Sequence, residues 1–379
     1  MKKFIAGITA LSASAVSMAQ PPAAPPAAQA SSVRVYGVAD IAVARYRTSD
    51  ATKTAMHAGG SGSRIGFLAT EDLGQGWRVN ARLEAGVNLD AGTSSSTNGN
   101  PNRVWSRQVY VEMGHKSFGA LKLGRLQGPT YNFFPTYDPM LLPAMDAWGV
   151  LSTLGSAAPG TASGTGVSTG FLINPTFRSE NTVNYTSPRI GGVQAEVSYS
   201  LNEGSLTQPK VLEAGLDYLA GPFQIGALFV KAGSTPGSGA ARPTDSVAEA
   251  AIGAKFVAGP IQPYLTYIRR DLTDQTLGAT GSVLNGRTET VKLLGAVIPV
   301  SARGSVRMTW GRYDSGTPDR DARSYGVAYT YDVSRRLMLM AAYTHLSQGL
   351  AASWPVFQSP KPLAGDTVEG FTVGATWRF

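Results

Sequence analysis

The 379-residue chain contains no cysteine, only three histidines and only 15% charged residues. Without cysteine there is neither a disulfide framework nor a thiolate ligand, so the fold must hold through hydrogen bonding and burial. His57, His115 and His345 stand far apart and show no metal-ligand spacing, so no metal is expected. Beyond the N-terminal segment no run of eighteen apolar residues occurs, which excludes a membrane-crossing helix. The formal net charge is +8, yet no Lys/Arg run exceeds two residues and most arginines stand singly in alternating segments. Nucleic acid is therefore not an expected partner. No nucleophile motif or phosphate-cradling loop stands out, and Glu71-Asp72 reads as turn chemistry. Neither catalytic residues nor a cofactor are expected, and the chain does not read as an enzyme.

What is abundant is glycine, at 44 residues, together with 15 tyrosines. MKKFIAGITALSASAVSMAQ has a basic start at Lys2 and Lys3, an apolar stretch from Phe4 to Val16 and small residues at Ser17-Met18-Ala19. That order is a secretory signal over residues 1–19, with cleavage after Ala30 as the alternative. PPAAPPAAQA follows, and residues 20–31 are expected to form an extended, solvated periplasmic tail.

From residue 32 on, segments of alternating hydrophobicity recur to the last residue. They lie near 33–47, 62–72, 77–89, 103–113, 119–126, 176–187, 192–202, 210–219, 222–232, 246–257, 260–271, 287–298, 303–314, 322–332, 336–347 and 366–379. WRVNARLEAGVNL, residues 77–89, is apolar at every odd position and polar or small at every even one. A period of two means a strand with two chemically different faces. The strands alone fit either a soluble sandwich with the apolar face inside or an outer-membrane barrel with it outside. Connector lengths decide: EDLGQG, GHKS, SPRIG, AGP, PVSA and DVSR are short, and those between them are long. Short turns on one rim and long loops on the other, with an even strand number, is the pattern of an up-and-down barrel. Arg78 and Arg82 on a lipid face would each cost roughly 2–4 kcal/mol near the midplane. The polar face therefore lines the interior, and sixteen strands leave that interior wide enough for water. Phe371, Trp377 and the terminal Phe379 fall on the outer face, where an aromatic girdle belongs.

SSVRVYGVADIAVARY, SRIGFLATEDLGQGWRVNARLEAG, RQVYVEMGHKSFGALKLGR, SENTVNYTSPRIGGVQAEVSY and the terminal ATWRF resemble the Gram-negative general porins of neisserial and burkholderial type. The resemblance spans about residues 31–379. It implies an all-β fold: a sixteen-stranded antiparallel barrel over 32–379, a homotrimer in outer-membrane lipid, and a third long loop, at about 126–177, folded into the lumen. It implies a basic wall of Arg64, Arg82, Arg107 and Arg178 facing Asp138 and Asp146 of that loop. Arg82 stands where the family often has Gln, and Leu68 replaces a family Lys. Arg107 fits least well by phase, because Val109, Val111 and Met113 share its face. The resemblance implies passive diffusion of small hydrophilic solutes, and the excess of arginine implies preference for anionic over cationic ones. A C-terminal strand with Phe371, Trp377 and Phe379 implies recognition by the outer-membrane assembly machinery through Phe379. Two alternatives stay open: a substrate-selective channel with Tyr131, Phe133, Phe134, Tyr137 and Trp148 as a binding track, and an exported β-sandwich acting in binding or adhesion.

Overall fold

The structure is a computed structural model that describes residues 31–57, 61–94, 103–140, 178–201, 203, 210–233, 246–273, 276–277, 282–283, 287–356 and 358–379. The expected signal segment and nearly all of the expected tail lie outside these residues.

Sixteen antiparallel strands close on themselves. They are Ser32–Arg47, Arg64–Gly74, Trp77–Asn88, Gln108–His115, Gly119–Leu126, Ser179–Thr186, Val193–Ser200, Val211–Ala220, Phe223–Gly233, Ser246–Phe256, Gln262–Thr273, Arg287–Pro299, Gly304–Asp314, Ala322–Asp332, Leu337–Gln348 and Val368–Arg378. Each answers one of the sixteen alternating segments. Thr52–His57 extends the second position, pairing with the upper half of the first strand while Arg64–Gly74 pairs with its lower half. The last strand returns to the first, from Val38↔Arg378 to Arg47↔Glu369, so no edge remains. Phe379 completes the seam: its amide donates to the Gly37 carbonyl at 3.1 Å and its carbonyl accepts from the Gly37 amide at 2.9 Å. The Phe379 ring lies over Gly37, where a Cβ would meet ring carbon at 2.3 Å.

Connectors sort by rim as their lengths require. At the turn into Trp77–Asn88, Gly74, Gln75 and Gly76 all have positive φ, a backbone that glycine adopts without steric cost. The helix Pro129–Tyr137 (α1) follows the fifth strand and lies on the inner wall.

The faces are inverted relative to a soluble protein. Val327, Leu294, Trp310 and Trp377 point outward and are 45%, 52%, 44% and 48% exposed. Inward neighbours such as Thr266, Thr309, Ser324 and Thr330 are polar and buried. The first strand breaks the rule, since Ala42, Ala44 and Tyr46 face inward and are buried. They join one apolar cluster with Leu346, Ala352, Trp354, Val356 and Val368. The loop after Leu337–Gln348 therefore folds over this stretch of the inner wall, and the mixed character of the first strand arises inside the barrel. The strand Gln108–His115 alternates cleanly, with Val109, Val111 and Met113 outward.

An outward arginine should therefore be costly. Val327→Arg is expected to lower stability by roughly 2–4 kcal/mol, whereas Val327→Leu should change it by less than about 1 kcal/mol. Urea titration of the barrel refolded into lipid vesicles reads both; equal stability of the two variants would contradict the assigned facing.

Candidate functional site

Register lays inward-facing residues of four neighbouring strands in rows. Tyr36, Gly66, Glu84 and Gln108 form one row. Val38, Arg64 and Gly86 form the row nearer the long-loop rim. Arg34, Leu68, Arg82 and Tyr110 form the row nearer the short-turn rim.

Glu84 is the centre of the first of these. Its carboxylate accepts from Arg107 Nε at 2.6 Å and from the Tyr36 hydroxyl at 2.8 Å, and Arg64 Nε stands 3.9 Å away. Arg107 is buried, although its phase along the chain would turn it outward with Val109. It escapes the alternation because the strand starts one residue later, at Gln108, and the Arg107 amide bonds the Glu84 carbonyl at 3.1 Å. Arg64 also donates to the carbonyls of Ser61 and Gly62 at 2.6 and 2.9 Å. Taking such charges out of water is expensive unless every one is paired or hydrogen-bonded, which is what these acceptors supply.

Tyr131 of α1 meets the arginines from the other side. Arg107 Nη2 donates to its hydroxyl at 3.4 Å, and the Arg178 guanidinium lies 5.1 Å from its ring centre. Behind Arg178, Arg125 donates to the Arg178 carbonyl at 2.9 Å, to the Ser106 carbonyl at 3.0 Å and to Glu180 at 3.2 Å. Three of the four predicted arginines thus gather in one cluster: Arg64 and Arg107 at Glu84, and Arg107 and Arg178 at Tyr131. Burial raises the Tyr131 phenol, but Arg107, Arg178 and Arg64 around it outweigh burial and hold it below its ordinary value.

Arg82 is placed apart. It lies between the rings of Tyr36 and Tyr110, 5.6 and 5.8 Å from their centres. Asp138 is buried at the end of α1, where its carboxylate accepts the Met140 amide at 2.8 Å and stands within electrostatic reach of Arg307 and Tyr264. Asp146 and Trp148 lie outside the described residues.

Helix α1 begins with Pro129 at its first turn, where a missing amide proton costs nothing. Its seat is a run of glycines on the inner wall. A Cβ at Gly226 would lie 2.4 Å from the Tyr137 hydroxyl, one at Gly253 2.5 Å from Tyr137 Cγ, and one at Gly295 2.5 Å from Pro139. Polar anchors finish the docking: Thr130 amide to Glu213 at 2.9 Å, Asn132 to Glu196 at 2.7 Å, and the Tyr137 hydroxyl to Asp217 at 2.9 Å. Phe133, Phe134 and Tyr137 are buried in this seat. They hold the helix, which takes them away from a solute-facing aromatic track.

Sequence reasoning missed Glu84, Tyr36, Glu213 and the glycine seat. Glu84 shares the polar phase of Arg82 in WRVNARLEAG, a signal that was present. Glycines in the middle of strands, rather than in turns, mark the seat.

A family model described as Gram-negative porin matches residues 7–349. The chain is similar to outer membrane porin protein 32 of Delftia acidovorans, 27% identical over 351 residues, 89% of this chain and 88% of that one. It is also similar to the major outer membrane protein P.IB of Neisseria gonorrhoeae, 27% identical over 224 residues and 56% of each chain. Among solved structures, an anion-selective porin from Comamonas acidovorans superposes with a TM-score of 0.74 at 21% identity, covering 92% of this chain and all of that one.

Two outcomes follow from the geometry. Gly253→Val should displace the Tyr137 ring and loosen α1, read as faster proteolysis within 127–140 while the barrel stays resistant to denaturant. In an ultraviolet pH titration, Tyr131→Phe should remove a phenolate signal that appears below the ordinary value of about 10; a titration identical to the parent chain would contradict the electrostatic assignment.

Proposed function

The chain belongs to the Gram-negative porin family, and from that premise we propose that Arg64, Arg107 and Arg178, gathered around Tyr131 and Glu84, make an anion-preferring constriction in its bore. As a porin it crosses the outer membrane as a β-barrel and works as a water-filled diffusion channel, with no enzymatic step. The observation that carries the preference is the charge count of the cluster, three guanidiniums against the one carboxylate of Glu84.

A net positive surface at a narrow point raises the local concentration of anions and the barrier for cations. The low-dielectric wall strengthens the effect relative to bulk water. The solutes are small hydrophilic anions and neutral molecules. The anion selectivity stated for the Comamonas porin supports this reading, because that barrel shares the fold. In the same proposal α1 starts a loop that narrows the lumen, with Asp138 and Asp146 as the acidic groups that oppose the arginines. The barrel assembles as a homotrimer, as the general porins that the sequence resembles do. The outward Phe371, Trp377 and Phe379, each about half exposed, present the end of the chain to the assembly machinery.

The test is a reversal potential across a planar bilayer under a potassium chloride gradient. The parent channel is expected to prefer chloride; cation preference would overturn the proposal. One unit charge at roughly 7 Å in water is worth about 0.6 kcal/mol, close to a threefold change in local ion concentration. Arg178→Gln is therefore expected to lower the chloride-to-potassium permeability ratio by about threefold or more. Glu84→Gln should raise it by a similar factor if the barrel folds with a buried Arg107 left unpaired.

A further inference from the structure

Arg82 stands in a row of its own, apart from Arg64, Arg107 and Arg178, although Arg178 likewise has a tyrosine ring beside it and a buried Nε without a hydrogen-bond partner. The Arg82 guanidinium lies between two tyrosine rings, and the adjacent acids are already occupied. Glu84 is taken by Arg107 and Tyr36, and Glu112 accepts from Asn80 at 2.8 Å with Arg78 at 3.8 Å. Among the described residues no carboxylate pairs with Arg82, and its Nε is shut off from water without a hydrogen-bond partner. Next to it in the same row is Leu68, half-buried and facing the bore, and beyond Leu68 stands Arg34, exposed, 6.0 Å from the other approach to the Tyr36 ring. The row therefore presents a charged fork with no counter-charge, a leucine and aromatic edges within one patch of wall.

We propose that Arg34, Leu68, Arg82 and Tyr110 form a solute-binding recess, separate from the arginine cluster and nearer the periplasm, for carboxylates carried on a small apolar or aromatic body. This deepens the reading of the chain as an anion-preferring channel and rests on it. A guanidinium held between aromatic faces keeps its two terminal nitrogens for an end-on bidentate carboxylate, and because it is already immobilised, less conformational freedom is lost on binding. An anion without an apolar body would use only the fork, whereas one with a ring would also cover Leu68 and the Tyr110 edge, removing apolar surface from water. The arginine cluster has different neighbours: one carboxylate, carbonyl and hydroxyl oxygens, and the single ring of Tyr131. It selects by charge, and the recess would add selection by the body that bears the charge.

The experiment is single-channel recording of the chloride current in potassium chloride while sodium benzoate or sodium acetate is added on the short-turn side. Saturable block by benzoate is expected at concentrations about tenfold below those at which acetate acts. Arg82→Gln should raise the half-blocking benzoate concentration about tenfold, and Arg82→Lys, which keeps the charge but not the fork, should lose at least threefold. Leu68→Gln tests the apolar contact without touching an arginine, and it should abolish the advantage of benzoate over acetate. Equal block by the two anions, or benzoate block that survives Arg82→Gln and disappears in Arg107→Gln, overturns the recess. Reversal potentials from the same channels keep the two readings distinct. Chloride preference without benzoate block rejects the recess alone, whereas potassium preference rejects the channel proposal beneath it.

Discussion

A backbone inside hydrocarbon has no water to bond to, and each unsatisfied amide or carbonyl there costs several kcal/mol. Everything else in this molecule follows from satisfying that demand with strands alone. Sixteen strands pair in order, and the last returns to the first along ten consecutive register positions. At that seam the final residue bonds Gly37 through both its amide and its carbonyl. The Phe379 ring then covers the bare backbone of Gly37, where a Cβ would force the ring to move. Closure therefore runs through Phe379, which makes that residue structural.

Once closed, the barrel has to place two kinds of surface. Lipid accepts the outward Val, Leu, Phe and Trp at no cost, so sequence alternation and facing agree along most strands. Inside, the buried apolar side chains are covered by another part of the chain, while Leu68 faces the bore half-buried. Ala42, Ala44 and Tyr46 meet Trp354 and Val356, and α1 meets a wall from which side chains have been removed at Gly226, Gly253 and Gly295. A helix close to the wall leaves the remaining width to water. The glycines are in that sense positive features of the interior, shaped to the rings of Tyr137 and Pro139.

Much of this was legible in the chain. The alternation of WRVNARLEAGVNL and the contrast of AGP turns with long connectors specify strand number, facing and rim. These are local, periodic signals that the pleat imposes on every strand. Arg64 and Arg178 were legible by phase for the same reason. Arg107 was not, because it sits one residue before its strand and takes its direction from the Glu84 carbonyl rather than from the pleat. The separation of Arg82 from the other arginines depends on cross-strand register, which places it level with Leu68 and Arg34 rather than with Arg64. Register links residues up to some fifty positions apart here, and a single sequence does not carry that information. Glu213, holding the start of α1 from a strand 83 residues away, lay beyond reach for the same reason.

The two arginine environments show how a channel wall can keep positive charge facing water without coming apart. Guanidiniums on neighbouring strands repel, and burial makes the repulsion stronger. In the cluster Glu84 fixes Arg107, the Ser61 and Gly62 carbonyls fix Arg64, and Arg178 rests against the Tyr131 ring, which leaves too few acids to neutralise three guanidiniums. Adding a second acid would make the cluster more stable and less selective, while removing Glu84 would leave Arg107 buried without its partner. Tyr36 and Tyr110 solve the same problem for Arg82 with ring faces, which attract a cation without cancelling its charge. Selectivity in such a wall thus depends on using acceptors that orient a cation in preference to acids that neutralise it.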